Sequence, residues 1–103
     1  KQAAMEYVRL DLPRNPAQYI ATAPQVDARG NLLLVLQNRA PIALGAIAVT
    51  PVLIDASGQI LRQGRMLQIS QQLEPGARIA VDTGLGALAA DAHVHEAIEA
   101  LEA

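Results

Sequence analysis

Asn31-Leu32-Leu33-Leu34-Val35-Leu36-Gln37-Asn38 is the stretch on which the fold turns. Five apolar residues in a row, closed by Asn on one side and Gln-Asn on the other, are too few for a buried helix and suit a strand. Strand side chains alternate between two faces. If Leu32, Leu34 and Leu36 enter a core, Leu33 and Val35 point the other way.

Turn signals surround this stretch at short intervals. Arg14-Asn15-Pro16 and Asp27-Ala28-Arg29-Gly30-Asn31 precede it. Asn38-Arg39-Ala40-Pro41, Asp55-Ala56-Ser57-Gly58, Glu74-Pro75-Gly76 and Thr83-Gly84-Leu85-Gly86 follow. Asp starts such turns, Gly takes positive φ within them, and Pro-Gly suits the centre of a type II turn. Between the signals, strands are expected at Tyr7 to Leu12, Gln18 to Val26, Leu32 to Gln37, Ile47 to Ile54 and Arg78 to Val81. Ile60–Leu61 and Met66 to Ile69 flank a kink at Gly64. Short strands punctuated this way predict an all-β fold, an immunoglobulin-like antiparallel sandwich of about seven strands.

The C-terminal end supports two readings. Ala, Glu and Leu favour helix, and Ala87, Ala90, Val94, Ala97 and Leu101 fall at helical spacing. A strand would instead put Ala92, Val94, Ile98 and Ala100 on one face and supply a partner for Arg78–Val81. The expectation is a short Ala-rich turn or helix near Leu85–Asp91, then a strand from about His93 to Ala100.

Composition narrows the function. The 103 residues suit one domain, read as 1–103, and 51% apolar against 17% charged residues exclude a disordered tail. The net charge is −2 and the basic residues are scattered, so nucleic acid is not an expected partner. With no Phe, no Trp and two Tyr, there is little to build a base-stacking platform from. Without cysteine there is no disulfide, zinc–thiolate cluster or thiol nucleophile. The longest apolar stretch, Ala40 to Ile54, is interrupted by Pro41 and Pro51 and falls short of the roughly 20 residues of a membrane helix. Lys1 stands where an initiator Met would, so a processed chain or a piece of a larger protein is expected.

The strand ending in Asn38, Pro41, the run Val49 to Asp55 followed by Gly58, and Leu73-Glu74-Pro75-Gly76 together resemble a bacterial immunoglobulin-like domain of cell-envelope proteins, the FxLyD-type group among them. The resemblance spans Leu32 to Val81. The Phe and Tyr that name the FxLyD group are missing. It implies a non-catalytic accessory role in the periplasm or cell envelope, with no active-site residues to carry over.

Candidate chemistry is sparse, and no cofactor is expected. Gly84-x-Gly86-x-x-Ala89 matches a dinucleotide fingerprint, but no βαβ unit surrounds it. His93 and His95 would share one face of a strand, which suits chelation, with Asp91, Glu96 and Glu99 nearby. They carry the alternative reading, a small ligand- or metal-binding module. Ser57 and Ser70 lie in no nucleophile elbow. Arg62, Arg65 and Arg78 could gather on a sheet face with Glu74 and Asp82, as a solvated mixed-charge surface.

The remaining feature is the apolar outer face. Leu33 and Val35 face away from the core, and Ile47 to Ile54 is apolar on both sides, where a free sandwich shows polar residues. Leu33 and Val35 are therefore the candidate interaction face. The expected partner is another protein domain or a second copy of the chain.

Overall fold

β2 (Leu32–Asn38) lies at the centre of one sheet and β3 (Ala46–Ile54) at the centre of the other. The computed structural model describes residues 2–86 and 92–103, with side-chain environments from Glu6 onward. In the first sheet, β2 runs antiparallel between β1 (Ile20–Val26) and β6 (Arg78–Asp82). In the second, β3 pairs with β7 (His93–Glu102) along one side. Along its other side it pairs with β4 (Ile60–Gln63) and β5 (Leu67–Ile69) in succession. All these pairings are antiparallel, and the fold is all-β, with two sheets stacked as a sandwich.

Period-two alternation builds the core. Leu32, Leu34 and Leu36 are fully buried, whereas Leu33, Val35 and Gln37 are partly exposed. From the opposing sheet, Ile47 and Val49 meet Leu34 and Leu36 in the main cluster, which Leu12, Leu44, Leu73 and Leu101 close at one end. A smaller cluster of Leu32, Leu53, Leu85 and Ala92 fills the other end. Each fully buried leucine contributes about 1.5–3 kcal/mol.

Pro51 explains why β4 and β5 are separate. It sits inside a central strand, where proline removes a ladder donor. The Pro51 carbonyl accepts the Gly64 N–H at 2.9 Å, and Pro51 has no N–H to return. The neighbouring strand breaks there, and its register against β3 resumes at Leu67. A Cβ at Gly64 would lie 2.9 Å from Pro51 Cγ, so the expected kink at Gly64 is a close approach to proline.

Polar side chains fix the loops. Asn38 is fully buried; its Nδ2 donates to the carbonyls of Ile42 and Leu73, each at 2.9 Å, and its Oδ1 accepts from Ala40 N at 2.8 Å. The β1–β2 and β3–β4 turns are near-copies. Asp27 Oδ1 accepts from the backbone N–H groups of Arg29 and Asn31, and Asp55 Oδ1 from those of Ser57 and Gln59.

Two local expectations change. Residues read as a strand at Tyr7 to Leu12 belong instead to α1 (Gln2–Asp11), whose last turn continues through Leu12 N–H to Val8 carbonyl at 2.9 Å. The preceding Ala3-Ala4-Met5-Glu6 run favours helix and outweighs a weak alternation over six residues. The C-terminal strand is present, but it pairs with β3, while Arg78–Val81 finds its partner in β2. Of the expected turn or helix near Leu85–Asp91, residues 87–91 lie outside the described residues.

Candidate interaction face

The registers of β1 and β6 on β2 set out the outer face of the first sheet as three rows. Ala23, Val35 and Ala80 form the middle row. Gln25, Leu33 and Asp82 lie on one side of it; Ala21, Gln37 and Arg78 lie on the other. Leu33 and Val35 are half-buried, and Ala23 and Ala80 are exposed. The alanines leave no bulk on either side of Val35. A shallow cavity of about 210 Å³ opens there, lined by Ala21, Ala23, Val35, Gln37 and Arg78 among others. The only charges in the three rows stand at the two ends of β6. Asp82 is held by its Oδ1, which accepts from Gly84 N at 2.9 Å.

The outer face of the second sheet is mixed, with Thr50, Gln63, His93 and His95 beside Val52, Ile54 and Ile60. Val52 and Ile54 stand opposite His95 and His93 on β7, and Ile60 beside Ile54 is 63% exposed. Both histidines are exposed and share this face. Glu96 points inward and accepts from the Thr22 hydroxyl, joining β7 to β1 across the sandwich edge. Asp91 lies outside the described residues. Among the described residues, no three His, Asp or Glu side chains are grouped to hold a metal ion.

The other singled-out residues are brought together only in part. Arg62, Arg65 and Asp82 do come together, lining a cleft of about 660 Å³ where Arg62 Nη1 donates to the Leu85 carbonyl at 2.6 Å. Arg78 shares the outer face with Asp82 but lies at the far end of β6 from that cleft, and Glu74 accepts from Gln72 in a turn at the opposite end. Ser57 donates its hydroxyl to Asp55 within a turn, and Ser70 is exposed. Gly84 and Gly86 both have positive φ and follow β6, which is antiparallel to β2 and so does not open a βαβ unit. Reading the sequence missed that Arg78 and Asp82 frame the Leu33–Val35 face. The signal was there in Arg78-Ile79-Ala80-Val81-Asp82, whose alternation puts Arg, Ala and Asp on one face.

No protein-family model matches the chain, and no curated protein or solved structure is significantly similar to it. No helix among the described residues is long and apolar enough to cross a membrane.

Proposed function

We propose that this is a non-catalytic accessory domain of a larger bacterial cell-envelope protein, docking through the outer face of its β1-β2-β6 sheet. The observation that carries the reading is the half-buried Leu33–Val35 pair on an outward face, with Val35 flanked by Ala23 and Ala80 where a free sandwich would carry polar side chains. The strand order supports an immunoglobulin-like relationship. With β4 and β5 counted as one interrupted strand, the pairings β1-β2-β6 and β3-β7 follow the A-B-E and C-F relations of that fold. The envelope assignment rests on the turn-motif resemblance.

The test is side-chain footprinting of Leu33 and Val35 in the dilute purified chain and in an extract of the source cells, alongside the double variant Leu33→Asn/Val35→Thr. The reading requires labelling to fall either in the extract or on concentrating the purified chain, and the double variant to stay folded while losing that protection. An unfolded variant would place both residues in the core and end the reading. The metal-binding alternative draws on the shared exposed face of His93 and His95. Zn²⁺ titration followed by histidine ring resonances decides it: saturable shifts at these two rings favour the metal module, and none removes it.

A further inference from the structure

We infer that the partner of this face is a second copy of the chain, seated face to face about a twofold axis; the inference rests on the docking reading above. The argument comes from where the charges stand. Arg78 and Asp82 are four residues apart on β6, roughly 13 Å along the strand, on either side of Ala80.

Consider a twofold axis lying in the face, perpendicular to the strands, along the Ala23–Val35–Ala80 row. It reverses β6 end for end on the partner's β6. Arg78 then opposes the partner's Asp82, and Asp82 opposes the partner's Arg78, forming two ion pairs from one self-complementary strand. Between them, Ala23, Val35 and Ala80 each meet their own copies. The alanines let the sheets close to about 10 Å, the spacing of stacked sheets. Leu33 covers the aliphatic part of the partner's Gln37. An axis parallel to the strands would instead set Arg78 over the partner's Ala21 and Asp82 over the partner's Gln25, leaving both charges unpaired. Charge thus favours the first of these two aligned arrangements over the second.

The patch is only three strands wide, below the size of a standard stable interface. The dimer is therefore weak, reversible and sensitive to salt. Its test is sedimentation equilibrium at low ionic strength, up to about 1 mM chain. The wild type should dimerise, and added salt should weaken the dimer. Arg78→Asp alone and Asp82→Arg alone set like charges opposite each other, and each should weaken dimerisation by about tenfold or more. An equal mixture of the two variants, or both changes in one chain, restores opposite charges and should recover the dimer. Should Asp82→Arg disturb the Gly84 turn, Asp82→Asn keeps an acceptor oxygen, removes the charge, and should give a partial loss.

A wild type that stays monomeric throughout overturns the inference. So does a dimer that the single changes leave intact, or a mixture that fails to recover. If the wild type is monomeric while Leu33 and Val35 are still protected in extract, the accessory reading survives with another occupant. If that protection is absent too, both fall.

Discussion

Two aspartates, Asp27 and Asp55, do the same work in two different turns. Each carboxylate gathers backbone N–H groups across its turn, and each turn ends on a glycine of positive φ, Gly30 at 83° and Gly58 at 90°. The Asn31 N–H chiefly holds the Asp27 carboxyl below its ordinary range, and the Ser57 hydroxyl does so for Asp55. A lowered folded value means that this stabilisation is present above the ordinary carboxylate range and is lost as pH falls through the folded value. Replacing both residues by Asn should therefore flatten the acid limb of a plot of Tm against pH; an unchanged limb would show that the turns do not set acid stability. Gly76 has φ of 82°, as the Pro75-Gly76 turn signal implied, and its N–H donates to the Asn38 carbonyl at 2.8 Å. Gly76→Val should cost about 1 kcal/mol or more in denaturant unfolding, because a β-branched residue is strained there. Asn38 was legible only as a turn residue. Its burial and its bonds to Ile42 and Leu73, four and 35 positions away, come from tertiary packing. Asn38→Leu leaves those buried carbonyls and the Ala40 N–H without their partner, and should cost about 2–3 kcal/mol.

At the scale of elements, strands with a strong pattern were read well and those shaped by neighbours were not. β2 and β3 were legible because their apolar runs are short and bounded by turn residues. The division into β4 and β5 was not, because its cause lies in another strand, at Pro51. Gly64→Ala would set a methyl 2.9 Å from Pro51 Cγ, and the expected loss is about 1–3 kcal/mol in chemical denaturation. A neutral substitution would show that β3 and β4 can part there at no cost. In β7, helix propensity lost to pairing: nine residues of that segment align with β3, and the ladder outweighs the fractions of a kcal/mol that Ala and Glu contribute to a helix. In α1 the opposite happened, since no strand among the described residues pairs with it. Tyr7 and Leu10 are left 65% and 69% exposed on that helix.

Across the whole molecule, the alternation that fills the core also fixes which side chains face out, so Leu33 and Val35 could be placed from sequence. The charges framing them are legible in part: alternation puts Arg78, Ala80 and Asp82 on one face of a strand, and the pairing of β6 with β2 decides that it is this face. The joint between α1 and the sandwich has a consequence for optical spectroscopy. There the Tyr19 phenol donates to Asp11 Oδ2 at 2.6 Å, while Asn15 Nδ2 donates to the other carboxylate oxygen at 2.7 Å. The bond to Asp11 pushes the Tyr19 phenol up to about 12, from an ordinary 10.0. The neutral phenol is the form the fold favours, so its stabilisation holds below pH 10 and is lost as pH rises to about 12. With no tryptophan and two tyrosines, the near-ultraviolet absorbance of this chain is all phenolic. Tyrosinate absorbance should thus contain a late step near pH 12 from Tyr19, which Asp11→Asn brings back toward 10. A colourless, label-free titration then reads whether the helix is seated on the sandwich, one phenol serving as the indicator dye.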